Sequence, residues 1–343
     1  MGKLILSDGT VFEGKTFGAE KSTLGEVVFN TGMVGYPESF TDPSYFGQIL
    51  VLTYPLVGNY GVPDDQWFES KKIQIRGLIV QNYIEKYSHF EGKRSLGDWL
   101  KREGIPALEG IDTRQLTRKL RYHGVMLGGI NTQEVYDPNK ENVLSYVSVN
   151  KPETFGEGKK HIILIDCGAK ENIIRSFLKR KVKVTRVPWN FDPVACPLAG
   201  GFDGVMISNG PGNPERATAT IKTIQRLLKT NIPTFGICLG SQLLALAAGG
   251  QTYKLKFGHR SQNQPVQDLV TKKGLITSQN HGFAVDMKSL GKDWQEWFVN
   301  LNDGTNEGIR HKTNPFMAVQ FHPESTPGPI DANYLFDEFL SLL

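Results

Sequence analysis

Apolar and polar residues change their rhythm partway along the chain. Up to about residue 150, short apolar runs alternate with turn residues, the pattern of strands joined by loops. "KLILSDGTVFEG" reads as two strands around Asp8-Gly9, a strong hairpin pair. "EVVFN", "QILVLTYP" and "KIQIRGLIV" read as further strands, separated by loops rich in glycine, proline and aspartate. Helices come late, in "SLGDWLKREG" and "DTRQLTRKLRYHG"; Asp112 is placed to cap the second and Gly124 to stop it. A polar stretch from Val149 to Lys160 then predicts a linker. The expected domains are residues 1–150 and 161–343, joined by residues 151–160.

From His161 onward strand and helix alternate. "HIILIDCG" reads as a buried strand, and "KENIIRSFLKRK" as an amphipathic helix with Ile173, Ile174, Phe177 and Leu178 on one side. "VKVTRVPW", "DGVMIS" and "IPTFGI" follow as strands, with "TIKTIQRLLKT" as a helix between the last two. Hairpin-like strands in "LITSQNHGFAVD" and "PFMAVQFHPES" precede a closing helix, "NYLFDEFLSLL". The expected fold class is α/β: a strand-rich α/β N-terminal domain, then a mostly parallel sheet flanked by helices. In such a sheet ligands bind at the carboxyl ends of the strands.

Composition narrows the function classes. Hydrophobic residues make up 39% and charged residues 22%, the balance of a globular protein. A formal net charge of +4, with no dense Lys/Arg run, argues against a nucleic-acid partner. No apolar stretch reaches the roughly 20 residues of a membrane span. The apolar run in "MGKLILSDGTVFEG" is too short for a signal peptide, so none is expected, and Leu6 stands where a myristoylation signal needs serine or threonine. The three cysteines, Cys167, Cys196 and Cys238, form no C-x-x-C pair, which fits a reducing compartment. A cytoplasmic location is expected. The histidines lack metal-ligand spacing and there is no P-loop, so no metal and no cofactor is expected.

The chemistry concentrates in the second half. "GICLG" sets Cys238 between two glycines, the thiol counterpart of the G-x-S-x-G elbow that exposes a nucleophile between strand and helix. The same cysteine also fits as core filler, because free Cys is among the most buried residue types. "HPE" offers His322 and Glu324 at i and i+2, side by side on an extended segment, as a base and its orienting carboxylate. An ordinary His and Glu on a surface strand is the competing reading. "SNGPGNP" brings backbone N–H groups together for an oxyanion, or is simply a turn. "SQNHGFAVD" offers Asn280 and the backbone around Gly282 and Phe283 for polar recognition, and reads first as a hairpin loop with His281 solvated.

Together, "FGICLGSQLLA", "SNGPGNP", "QNHGFAVD" and "FHPE" resemble the class I, triad-type glutamine amidotransferases. "GEVVFNTGMVGYPESFTDPSYFGQILVLTYPLVGNYG" and "GIDTRQLTRKLR" resemble the N-terminal domain of the small, glutamine-hydrolysing subunit of carbamoyl phosphate synthetase. Wording such as "VPWN", "WFES" and "GTNEGI" is closer to eukaryotic forms fused to the synthetase. The resemblance implies hydrolysis of L-glutamine to glutamate and ammonia through a cysteine thioester. The ammonia would pass to a large synthetase subunit or fused synthetase domain, for pyrimidine or arginine biosynthesis. It implies Cys238 as nucleophile, His322 as base and Glu324 as orienting carboxylate. Ser44, Gly210, Gly212, Leu239, Gln242, Asn280, Gly282 and Phe283 match the glutamine-binding set. One position departs: Ser241 stands where the family usually carries histidine. The rivals are a subunit serving another synthase, a regulatory pseudo-enzyme and a free-standing glutaminase.

Overall fold

The alternation at the start of the chain folds as its turn pair dictates. Strands β1 (Gly2–Leu6) and β2 (Val11–Gly18) pair antiparallel across Asp8-Gly9, where Gly9 takes a φ of 85°. That left-handed conformation is open to glycine without a Cβ clash. The hairpin belongs to the first of two units, Met1–Lys140 and Glu141–Leu343, in a computed structural model that describes residues 1–196 and 200–343.

The first unit continues through β3 (Thr23–Asn30), helix α1 (Tyr36–Thr41), β4 (Gln48–Leu52) and the short β5 (Leu56–Val57). Then come β6 (Gly77–Ile79), β7 (Asn82–Tyr83), helix α2 (Leu96–Glu103), β8 (Pro106–Glu109), helix α3 (Thr113–His123) and β9 (Met126–Ile130). The order β1-β2-β8-β6-β4-β3-β9 closes into a barrel, which leaves no strand edge unpaired. Phe40, Trp99 and Phe68 lie in a buried aromatic cluster of this unit, with Phe68 stacked on Trp99 at 4.9 Å. Capping follows the sequence: Asp112 Oδ1 accepts from the Gln115 N–H at 2.8 Å, and Gly124 ends α3. "KIQIRGLIV" is a strand only over Gly77–Ile79. Ile73 and Ile75 are buried without a ladder, because an apolar run records burial and not pairing.

The division into units falls at Lys140/Glu141, ahead of the expected linker. Within that linker Glu153–Phe155 is strand β10 of the second unit. Its polarity is that of a sheet edge, which a sequence does not distinguish from a loop. The unit continues with β11 (His161–Asp166), α4 (Glu171–Lys179), β12 (Lys183–Pro188), β13 (Gly204–Ile207), α5 (Thr218–Leu227), β14 (Thr234–Ile237) and α6 (Leu239–Ala247). It ends with β15 (Gln251–Asp268), β16 (Gly274–Asp286), β17 (Trp294–Asn300), β18 (Asn306–His311), β19 (Phe316–Val319) and α7 (Leu335–Leu340).

These strands form one ten-stranded sheet, β10-β12-β11-β13-β14-β19-β18-β17-β15-β16. From β12 to β19 the neighbours are parallel; β18, β17, β15 and β16 extend the sheet antiparallel. Successive residues of β11 face opposite sides. Ile162 and Leu164 pack with Phe177 of α4 and Phe336 of α7, while Ile163 and Ile165 pack with Ile224 of α5 and Leu243 of α6. Helices cover both faces, which is why these strands read as continuous apolar runs. No helix among the described residues is long and apolar enough to cross a membrane.

Candidate active site

The parallel strands deliver their loops to one edge of the sheet, and the predicted chemistry lies there. Cys238 follows β14 directly and opens α6 with φ 52° and ψ −103°, a strained backbone for any residue but glycine. Its neighbours show why the turn needs glycines. A Cβ on Gly236 would lie 2.6 Å from the Gly240 carbonyl oxygen, and one on Gly240 would lie 2.2 Å from that of Ile207. The helix thus approaches the sheet more closely than any side chain permits. Cys238 donates its N–H to Val319 O at 2.8 Å, tying the elbow to β19. Its sulfur points at the Asn280 carbonyl oxygen, 3.7 Å away.

His322 and Glu324 are together, but not by strand geometry. Strand β19 ends at Val319, and the "HPE" segment is a turn in which Ser325 N–H donates to His322 O at 3.1 Å. His322 is anchored by a single antiparallel bridge to Ser278, whose carbonyl accepts its N–H at 2.9 Å. The turn folds the carboxylate back onto the ring, bringing Glu324 Oε1 within 2.6 Å of His322 Nδ1. Both side chains are buried, so neither is the surface residue of the competing reading. Burial alone would push the His322 pKa down, but the charges of Glu324 and Cys238 outweigh it and push it up to about 10. The Nε2 atom of His322 makes no hydrogen bond among the described residues.

Lys170 completes this group, and the sequence reading missed it. Its Nζ lies 3.1 Å from Glu324 Oε1 and also donates to the Ser325 carbonyl. Burial raises the Glu324 pKa, while the Lys170 and His322 charges lower it further, to about 2. Lys170 caps α4, and a cation at a helix N-terminus opposes the helix dipole. A lysine opening an amphipathic helix was the available signal that an anion had to be near.

The proposed binding residues of the second unit gather around the elbow. The glycine loop after β13 passes under the β11 loop: a Cβ on Gly210 would lie 2.0 Å from Cys167 O and 2.8 Å from Leu239 Cδ2. Gly212, two residues on, takes a φ of 85°. Gln242, one turn into α6, donates through Nε2 to the Phe283 carbonyl at 2.9 Å and to Gln320 Oε1 at 3.1 Å. Asn280, Gly282 and Phe283 lie within β16, so "SQNHGFAVD" is strand interior and not a hairpin loop. His281 is only 4% exposed and not solvated. The hydroxyl of Ser241 is buried and unpartnered among the described residues. Ser44 belongs to the first unit, in a 3-10 turn where Asp42 Oδ1 accepts its N–H at 2.9 Å.

A thiol on a strained elbow at a helix N-terminus, with a carboxylate-oriented imidazole, is suited to acyl transfer through a thioester. Residues 163–342 match the family model described as glutamine amidotransferase class-I. Residues 4–130 match that described as carbamoyl-phosphate synthase small chain, CPSase domain. The chain belongs to the carbamoyl-phosphate synthase small-chain family, with a class I glutamine amidotransferase domain as its second part. It is 48% identical to the carbamoyl phosphate synthase arginine-specific small chain of Chaetomium globosum, over 98% of this chain and 77% of that protein. It is 47% identical to the multifunctional protein pyrABCN of Emericella nidulans over 99% of this chain. With the multifunctional protein URA2 of Saccharomyces cerevisiae the identity is 48% over 98% of this chain. The chain spans 17% of the length of each multifunctional relative.

Proposed function

We propose that this chain is the glutaminase component of a carbamoyl phosphate synthetase, hydrolysing L-glutamine to glutamate and ammonia for a synthetase partner. The single observation that carries the reading is the buried His322–Glu324 pair, 2.6 Å apart, in the same unit as the strained Cys238 elbow. In this reading the Cys238 sulfur attacks the side-chain amide carbon of glutamine. The oxyanion lies between N–H groups of Leu239 and the Gly210 loop. His322 delivers a proton to the departing ammonia as the C–N bond breaks. Water then adds to the thioester carbon, gives its proton to His322, and expels the sulfur to release glutamate.

Gly212, Gln242, Asn280, Gly282 and Phe283 are assigned to the glutamine pocket, and Ser44 joins them on the family resemblance alone. The partner is a large synthetase subunit or a fused synthetase domain, as the names of the two kinds of relative suggest. The same names leave arginine and pyrimidine biosynthesis as the destinations. A cytoplasmic location goes with this proposal, as does the absence of a nucleic-acid partner. The test is glutamate release by the purified chain. Cys238→Ser is expected to abolish it while still binding glutamine; undiminished hydrolysis by that variant rules out the mechanism.

A further inference from the structure

Beside the elbow, the β15–β16 ladder is broken. Lys254 pairs with Phe283 and His259 with His281, so residues 255–258 of one strand span Gly282 alone on the other. Where a ladder is interrupted, side chains must hold the backbone in shape. His281 does so here. Its Nδ1 lies 2.9 Å from the Phe283 carbonyl oxygen, the atom that also accepts from Gln242.

The His281 ring is itself held from behind. His259 stands edge-on to it, with ring centres 4.9 Å apart at 81°. Glu307, fully buried at the start of β18, places Oε1 3.8 Å from His281 Nε2 and 3.4 Å from His259 Nδ1. Asn300 Nδ2 donates to the same Glu307 oxygen at 3.1 Å, and Asp303 Oδ2 lies 2.8 Å from His259 Nε2. The Gln279 side chain lies 3.2 Å from His281 Nε2. Both ring nitrogens of His259 and Nδ1 of His281 thus have neighbours to bond, while His281 Nε2 faces the oxygens of Gln279 and Glu307. Charge is divided within the cluster. Burial opposes a charge on His259, but Glu307 and Asp303 raise its pKa. Burial and the His259 charge hold the His281 pKa well below the usual value. A neutral His281 with its proton on Nδ1 is the form that donates to Phe283 O.

We propose that Glu307, acting through His259, is a positioning residue for glutamine: it fixes the His259 ring that packs edge-on against His281, and so holds the Asn280–Phe283 backbone. This rests on the glutaminase reading. The full chain is compared as wild type, Cys238→Ala, Glu307→Ala and Glu307→Gln, with hydrogen exchange followed across residues 278–286. Glu307→Ala is expected to raise KM for glutamine about tenfold, with kcat altered less than about threefold, and to quicken exchange in that segment. Glu307→Gln keeps the shape and an acceptor oxygen for Asn300, and returns both readouts to near wild type. Unchanged KM and exchange in a folded Glu307→Ala overturn the proposal. So does a joint loss of kcat, KM and melting temperature that glutamine at 307 does not rescue, since that marks a merely structural role. If the wild type hydrolyses no glutamine, the function falls first; the exchange measurement still decides whether Glu307 holds the segment.

Discussion

At the residue scale, Glu324 is a carboxylate sealed between two cations, Lys170 and His322. A lone buried carboxylate would take up a proton; these neighbours keep it charged, at a pKa near 2. A lowered folded-state pKa contributes stability that is complete above the unfolded value of 4.5 and is lost as pH falls toward 2. Glu324→Gln, which leaves Lys170 buried without its anion, is expected to cost about 3 kcal/mol at neutral pH. The gap in melting temperature from wild type should be widest between about pH 4.5 and 6.5, narrowing below that range as Glu324 takes up a proton and above it as His322 loses the one that Glu324 stabilises. A gap that ignores pH would show that Glu324 is not held as a charge. The pairing of i and i+2 was legible in "HPE", but the reason was not. A turn brings the two groups together, and Lys170, far away in sequence, supplies the charge.

At the scale of elements, the decisive contact is α6 against β13. An alanine inside a helix is ordinarily better than glycine by about 1 kcal/mol. At Gly240 the sign reverses, because the new Cβ would sit 2.2 Å from Ile207 O, and backbone on both sides leaves nothing to yield. Gly240→Ala is expected to lower stability by about 1–3 kcal/mol in urea unfolding and to reduce glutaminase turnover as the elbow shifts. A variant as stable and active as wild type would show that the helix can retreat freely. The glycines flanking Cys238 were legible as an elbow because the steric demand is local. Strands β15, β17 and β18 were not recognised, for their partly exposed faces mix polar and apolar residues, without a clean period.

At the scale of the whole molecule, the proposed function depends on a synthetase partner, and Ser241 is the position to examine. It lies in the first turn of α6, with a buried hydroxyl lacking a partner among the described residues, at the position where the family resemblance implies histidine. The expectation is that the serine is neutral drift, so that Ser241→His leaves turnover unchanged both alone and when a carbamoyl phosphate synthetase large subunit supplied with ATP and bicarbonate is added. A changed rate in either assay would show that the serine lowers activity or alters coupling to the partner. The same assay reads out carbamoyl phosphate, and so tests the partner.

The sequence by itself determined what depends on near neighbours: the Asp8-Gly9 hairpin, the capped α3, the buried strands of the parallel core and the glycine-flanked cysteine. These follow from turn chemistry, periodicity and steric exclusion, which act over a few residues. It also carried the family motifs through both units. Only the tertiary structure decided the closure of the barrel, the conversion of an expected linker into edge strand β10, and the interruption of the ladder at Gly282. It alone set Lys170 on Glu324 and Glu307 between two histidines, because burial and charge pairing depend on which distant segments pack together.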